Sequence, residues 1–431
     1  MRKKWVIMLI GVLVLSFVLV GCGGPRQVSN VVKPKPKPTL YKEFSFADKY
    51  IPADVYAFGF VRAEKADAVE FTRVMNIISA EEASNTLEGA YFVIGFTKDQ
   101  FDQAKKEPGK SAMENAFITG KIIFDKELTD NEKDKVLASI LGDGYEKQDQ
   151  TYVSADGSKI AIIEKNVIIY GTRPGDKIEK GITSNADFKK YVNKGYKIGL
   201  ITPDNQVLGS FTLNKGNFQL YVSATGKNVQ DLLKQEFGMR SVYLLKNENA
   251  MVAISLPFAK YMIDKSVENG VKEFQEFQIF LTPFEKVNDS YLSVSAIVKD
   301  IKNWQKDTQF LMAIKADKLD TIKALEGMLG IKVEKEKEWY NMGGAWTYVE
   351  YKDNNTALYS GATTADKPSK APSYYVKKFN KPLYFVLHLN NKGIKIDDET
   401  TADVNMEGNM YKDGDKLSFT LDIKYAFNQA K

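Results

Sequence analysis

The chain has almost no cysteine or histidine, since its 431 residues include one of each. A single Cys excludes an intramolecular disulfide and any zinc or iron–sulfur site built from several cysteines. A single His excludes a metal site with paired imidazoles and leaves one candidate imidazole base. These two shortages remove many common catalytic centres from consideration.

Catalytic motifs are also missing. The sequence contains neither Gly-x-Ser-x-Gly nor Ser-x-x-Lys, which argues against nucleophile-elbow hydrolases and penicillin-recognising enzymes. The one histidine, His388, lies in an alternating apolar segment that is typical of a strand, so we interpret it as structural. Asp and Glu are plentiful, and a hydrolase that uses carboxylates alone stays open as an alternative. We expect no cofactor.

Two ligand-binding patterns match only in part. Residues 104–111 match a relaxed phosphate loop, but the residues before them favour a helix and Pro108 removes a backbone donor. Asp403, Asn405 and Glu407 alternate as calcium ligands do, yet the twelfth position of that loop lacks the bidentate Glu of an EF-hand. The alternation is typical of a strand with a solvated face. We therefore expect no nucleotide and no metal.

The N-terminus carries an export signal. Basic residues at positions 2–4 precede a charge-free, almost wholly apolar stretch over residues 5–20, which is shorter than the roughly 20 residues of a spanning helix. The stretch ends in Leu19-Val20-Gly21-Cys22, which resembles the lipobox of a bacterial lipoprotein precursor. The resemblance implies transfer of diacylglycerol to the Cys22 thiol, cleavage after Gly21, and acylation of the new N-terminus, for example with palmitate.

Such processing would change both the charge and the location of the protein. Removal of residues 1–21 takes away three basic side chains and lowers the formal net charge from +5 to +2. We expect no nucleic-acid partner, because that function would need a clustered basic face. We expect an exported body anchored to the cell membrane. Gly23 after the Cys implies the outer membrane if the source is a two-membrane bacterium.

A tether is predicted between the signal peptide (1–21) and the body. Pro alternates with Lys over residues 33–38, which fixes φ and removes backbone donors. Residues 22–41 are therefore expected to be extended and to hold the body away from the membrane.

The order of elements in the body indicates a repeat. A strand, a capped helix and a hairpin follow one another three times, and the helices are expected to end at Gly142, Gly238 and Gly330, spaced by 96 and 92 residues. In the first copy, a strand is predicted over Phe117–Phe124, followed by a capping box at Thr129 and Glu132. At the C-terminus, strands are predicted over Asp403–Tyr411 and Lys416–Ile423, around the turn Asp413-Gly414-Asp415. We therefore predict an α+β fold of three or so repeated strand–helix–hairpin modules with mostly antiparallel sheets. The predicted bounds are 42–182 for module 1 with a partial N-terminal copy, 183–285 for module 2, and 286–431 for module 3 with C-terminal strands.

The start of the body carries a second resemblance. Ile51-Pro52-Ala53-Asp54 is similar to the entry sequence of large uncharacterised lipoproteins of bacterial envelopes. This resemblance implies repeated strand–helix–strand modules, and it brings no active site with it.

The densest unusual feature is aromatic. Five rings lie close together around a Gly-Gly pair: Trp339, Tyr340, Trp346, Tyr348 and Tyr351. Trp and Tyr beside a strand supply large, stiff contact area for a partner. The simpler alternative is that these rings cap the core of the third module.

Two classes of function remain. The leading hypothesis is a membrane-anchored, non-catalytic envelope lipoprotein that binds or scaffolds something outside the cytoplasm. Its partners would be the membrane, through lipidated Cys22, and an envelope protein or glycan. The alternatives are a carboxylate-dependent hydrolase of the cell envelope and a carrier of lipids or small molecules.

Overall fold

The computed structural model describes residues 37–65, 67–68, 87–106, 116–175, 177–214, 216–235, 237–268, 274–285, 287–298, 308–328, 332–342, 345–364, 366–395 and 400–429. These residues form two compact units. The first unit holds residues 37–214 and 224–227, and the second holds residues 216–223 and 228–429. The domain bounds suggested by the sequence, at residues 182 and 285, stay predictions.

The first unit contains an antiparallel sheet. Its strands are β1 (Ala57–Glu64), β2 (Leu87–Phe96), β3 (Phe117–Phe124), β4 (Glu146–Gln148), β5 (Thr151–Val153), β6 (Lys159–Glu164), β7 (Val167–Thr172), β8 (Ile198–Ile201) and β9 (Asn205–Asn214). They lie in the order β9–β8–β1–β2–β3–β7–β6–β5–β4. The helices are α1 (Lys98–Lys106), α2 (Asp130–Leu141), α3 (Ala186–Asn193) and the 3₁₀ helices Leu40–Lys49 and Ile182–Ser184.

The core of the first unit is aromatic. Phe44, from the 3₁₀ helix Leu40–Lys49, lies in T-shaped contact with three rings, those of Phe60, Tyr91 and Phe188, at centroid distances of 6.1, 5.6 and 5.6 Å. Edge-to-face geometry is the arrangement that aromatic quadrupoles favour. The 3₁₀ helix is thereby fixed against β1, β2 and α3.

The second unit contains a longer antiparallel sheet and a separate two-stranded ribbon. The strands are β10 (Asn217–Gly226), β11 (Met239–Leu245), β12 (Ala250–Ser255), β13 (Tyr291–Ile297), β14 (Gln309–Lys315), β15 (Trp339–Met342), β16 (Ala345–Lys352), β17 (Thr356–Ala362), β18 (Tyr374–Leu383), β19 (Phe385–Lys395), β20 (Thr400–Asp413) and β21 (Lys416–Gln429). The sheet has the order β15–β16–β17–β14–β13–β12–β19–β20–β21, with β10 beside β21, and the ribbon pairs β11 with β18. The helices are α4 (Lys227–Leu233), α5 (Leu256–Glu268), α6 (Gln275–Leu281), α7 (Leu319–Met328) and the 3₁₀ helix Thr282–Phe284.

The sheet of the second unit has two different faces. On one, which we call the helix face, Ile314, Val349 and Tyr359 pack with Ile322 of α7 in a buried cluster. On the other face, which we call the ribbon face, Leu311 lies in a buried cluster with Val242 and Leu244 of β11. Directly opposed residues of paired strands share a face, so the register assigns every strand residue to one of the two.

The predicted α+β fold of three or so repeated modules is wrong. The described residues form twenty-one strands and only seven α-helices, so the protein is mostly β. Consecutive strands pair antiparallel with one another in extended sheets, as in β12–β13–β14 and β19–β20–β21. Among the described residues, the strands are joined into extended sheets and are not divided into one small sheet for each predicted module.

The glycines that suggested the repeat have different roles. Gly142 caps the C-terminus of α2 with φ at +86°. At the N-terminus of the same helix, Thr129 and Glu132 form the predicted capping box, in which each side chain accepts a hydrogen bond from the backbone N–H of the other residue. Gly238 ends no helix, because α4 stops at Leu233; its lack of a side chain makes room for Pro382. Gly330 lies outside the described residues. The regular spacing therefore has no common structural cause.

The body begins within the stretch expected to be a tether. Leu40 is 3% exposed and opens the first 3₁₀ helix, and the N–H of Lys37 donates to the carbonyl of Asn193. The signal peptide, the lipobox and the Pro-Lys stretch up to residue 36 lie outside the described residues. None of the helices described is long and apolar enough to cross a membrane.

Candidate functional site

The five aromatic residues singled out in the sequence lie on one hairpin at the edge of the second unit. Strand β15 pairs with β16 so that Trp339 is opposite Tyr348 and Asn341 is opposite Trp346. Tyr340 is opposite Thr347, so its side chain points to the opposite face of the sheet from those of Trp339, Trp346 and Tyr348. The alternation of strand side chains thus divides the five rings between the two faces of the sheet.

Tyr340 and Tyr351 lie on the helix face and pack against its buried cluster. The Tyr340 hydroxyl accepts from the N–H of Lys335 at 2.8 Å and donates to the carbonyl of the same residue at 2.8 Å. The Tyr351 hydroxyl donates to Glu326 at 3.1 Å. For these two rings, the geometry is that of core residues with satisfied hydroxyl groups.

Glu326 is a buried carboxylate that sequence reasoning missed. It is 5% exposed on α7 and accepts hydrogen bonds from the hydroxyls of Tyr351 and Tyr359. Burial, with the negative charge of Glu326 beside it, raises the pKa of both tyrosines well above the usual range. No local motif marks this residue, because its partners come from strands that follow it by 25 and 33 positions.

Trp339, Trp346 and Tyr348 lie together on the ribbon face, and each is half-buried. The rings of Trp339 and Tyr348 are in T-shaped contact, with centroids 5.5 Å apart. Trp346 is opposite Ala362 of β17, so a small side chain flanks the ring on the inner side. We call these three residues the aromatic face. It offers two indole rings and a phenol, partly open to solvent, on the edge hairpin of a rigid sheet.

The opposite end of the same sheet face is polar. His388, Glu407 and Asp422 are successive cross-strand neighbours on β19, β20 and β21, and the Nδ1 atom of His388 lies 3.7 Å from a Glu407 oxygen. A depression of about 160 Å³ is lined by Asn405, Glu407, Asp422 and Lys424. Two carboxylates and a lysine in one open depression can bind a polar group. The strand expected over residues 403–411 is confirmed within β20.

The first unit contains a charged cluster that the sequence did not indicate. Arg62 of β1 is 8% exposed, and its guanidinium lies 3.1 Å from Glu64 and 4.0 Å from Glu43. On β3, Lys121 lies over the rings of Phe46 and Tyr91, at 5.7 and 5.3 Å from their centroids. Burial lowers the pKa of Lys121. The pairing of β1, β2 and β3, together with the packing of the 3₁₀ helix Leu40–Lys49 against them, brings these residues together.

The remaining candidates from the sequence lie elsewhere. Cys22 and Gly21 are outside the described residues, as is most of the phosphate-loop match, whose first residues end helix α1. Within the described segments, no group of three or more His, Cys, Asp or Glu side chains is arranged to hold a metal ion.

No family model, no curated protein and no solved structure matches the chain.

Proposed function

We propose that the chain is an exported, lipid-anchored envelope protein that binds a partner without catalysis, and that its contact surface is the aromatic face. The observation that carries the proposal is the grouping of Trp339, Trp346 and Tyr348, half-buried, on one side of an edge hairpin. Partly exposed Trp and Tyr side chains on a rigid element are the residues that contribute most to binding surfaces.

The partner is an envelope protein or glycan. Flat aromatic rings bind either class, because they offer apolar area with little loss of side-chain entropy. The anchor at Cys22, as the lipobox resemblance implies, would keep this surface at the membrane outside the cytoplasm. Two or more acyl chains would hold the protein stably on a bilayer, where one chain would not.

The aromatic face is tested by the double substitution Trp346→Ala and Tyr348→Ala. We expect retention on isolated cell-wall glycan, or photo-crosslinking to envelope proteins, to fall about thirtyfold or more, because loss of central aromatic residues removes 2 kcal/mol or more of binding energy. Phe274→Ala is the matched control, since Phe274 is 40% exposed in the same unit. Unchanged retention in a double variant that still unfolds cooperatively would contradict the proposal.

The anchor is tested separately. Cys22→Ala removes the only thiol in the chain, so we expect an uncleaved precursor that incorporates no labelled fatty acid. Cys22→Ser is a control for size and polarity and should behave in the same way. Normal acyl labelling of either variant, measured after growth with a radioactive or clickable fatty acid, would show that Cys22 is not the lipidated residue.

A carboxylate-dependent hydrolase is the second candidate, because Glu407 and Asp422 lie opposite each other in the polar depression. Two carboxylates flanking a bond are the minimum for glycoside hydrolysis. Release of soluble fragments from cell-wall glycan by the native chain, abolished in Glu407→Gln and in Asp422→Asn, would establish this function and remove the non-catalytic proposal.

A further inference from the structure

The two-stranded ribbon stands with one edge on the ribbon face of the sheet. The edge of β11 that does not pair with β18 is bound to this face by side chains of β13. The N–H of Leu245 donates to Ser295 Oγ at 2.8 Å, and Ser293 Oγ donates to the carbonyl of Tyr243 at 3.1 Å. Within the part of the chain that the structure describes, β18 pairs only with β11. Its second edge therefore has no strand partner among those residues.

This outer strand combines apolar and basic exposure. Tyr375 and Val376 are 39% and 43% exposed, and they are among the few large hydrophobic side chains that are exposed in the described residues. The hydroxyl of Tyr375 donates to Glu248 at 2.8 Å. Lys377, which is half-buried, and Lys378, which is exposed, follow directly, and neither has an ion-pair partner among the residues described. We call residues 375–378 the β18 ridge. Successive side chains point to opposite faces, so each face of the ribbon has one lysine next to one apolar side chain.

We propose that the β18 ridge is a second membrane contact, which binds the headgroup region of an anionic bilayer. This inference rests on the proposed lipid anchor, which would bring the second unit close to a membrane. Lys ammonium groups attract anionic lipids, by about 1 kcal/mol each close to the surface. Tyr375 and Val376 would enter the boundary between headgroups and acyl chains, where amphipathic rings and short apolar side chains are favoured.

A lipid surface explains the ridge better than protection of the strand edge alone. Lysines on an edge strand do prevent unwanted strand pairing. That role, however, gives no reason for an exposed tyrosine and valine beside them, since apolar side chains on an edge promote association. An acidic protein would match the lysines but not the apolar pair. The combination of lysines with an exposed ring and an exposed valine on one edge strand fits an anionic lipid surface.

The test uses the full chain, reconstituted into vesicles of phosphatidylcholine alone or with phosphatidylglycerol. Asn380→Cys places a thiol on the exposed end of β18 for an environment-sensitive fluorophore, and the chain's other Cys is the proposed acylation site. We expect a blue shift and quenching by labelled lipids only in the anionic vesicles. The signal should disappear near 1 M salt, where the screening length is about 3 Å.

Two further variants isolate the ridge. Lys377→Gln with Lys378→Gln should weaken the contact about tenfold or more, because it removes two charges at the lipid surface. Lys318→Gln with Lys332→Gln is the matched control, since both are exposed lysines of the same unit and the change in net charge is equal. It should leave the fluorescence signal unchanged.

Sedimentation separates the ridge from the anchor. A chain that sediments with both kinds of vesicle, and whose label responds only to the anionic kind, supports both proposals. Sedimentation with anionic vesicles alone supports the ridge and contradicts the anchor. Sedimentation with both kinds and no change at the label would overturn the ridge, and so would a response to soluble polyglutamate in place of anionic vesicles.

Discussion

Tyr50 is among the largest side chains buried in the first unit, at 1% exposed, and its ring lies directly on Gly171 of β7. The backbone of β7 can approach the ring because residue 171 has no side chain. A Cβ atom at this position would overlap the ring, so the packing of Tyr50, which directly follows the 3₁₀ helix, against β7 requires a glycine here. The contact is one example of the close packing that makes protein cores sensitive to single methyl groups.

At the residue scale, Gly171→Ala is therefore expected to destabilise the protein. Overpacking of this kind lowers the free energy of unfolding by about 1–3 kcal/mol, measured by urea denaturation. Gly175→Ala is the control, because a Cβ there meets open space and its φ is not positive. Equal unfolding midpoints for the two variants would show that the Tyr50 ring moves aside without cost.

At the element scale, the β11–β18 ribbon depends on side chains rather than on a third strand. Ser295 is 1% exposed, and its Oγ atom is the acceptor for the N–H of Leu245. Ser293 and Tyr291 make comparable bonds to Tyr243. Hydroxyl groups on β13 thus take over the backbone pairing that a neighbouring strand would otherwise provide.

Ser295→Ala tests this dependence. The substitution leaves a buried N–H without a partner, so we expect a loss of about 1–3 kcal/mol in the free energy of unfolding and faster hydrogen exchange at Leu245. Ser373→Ala, at an exposed position just before β18, should change neither quantity. Retained protection of the Leu245 amide in the Ser295 variant would mean that the ribbon is held by its apolar contacts alone.

At the scale of the whole molecule, buried tyrosines predict sensitivity to alkali. Burial raises the pKa of Tyr50 to about 12, and burial with the nearby charge of Glu43 raises the pKa of Tyr91 to about 12. The same group in the unfolded chain ionises near pH 10. The folded state therefore holds these protons more tightly. Their contribution is complete below about pH 10 and is lost as the pH rises towards 12.

We accordingly expect that these tyrosines do not change the free energy of unfolding with pH below about pH 9. Above about pH 10, the free energy of unfolding should fall by about 1.4 kcal/mol per pH unit for each such tyrosine. Urea denaturation over this range measures the slope. Tyr50→Phe removes one titrating group and should make the slope shallower. A slope identical to that of the native chain would contradict the assigned role of Tyr50.

Features that depend on neighbouring residues could be predicted from the sequence. The capping box at Thr129, the strand over Phe117–Phe124 and the two strands around the turn at Asp413 are where their patterns predict, because caps, alternation and turns act over a few positions. The lipobox is equally local, and its role stays a prediction.

The architecture and the composition of the surfaces depend instead on long-range packing, which became visible only in the fold. Helix spacing suggested a repeat, but strand pairing over long sequence distances produced two mostly β units. Packing decided which face each of the five aromatic residues serves: Tyr340 and Tyr351 pack against the buried cluster of the helix face, and Trp339, Trp346 and Tyr348 lie on the other face. The β18 ridge depends on which edge of the ribbon the sheet covers. Such choices follow from register between distant strands, which a local pattern cannot specify.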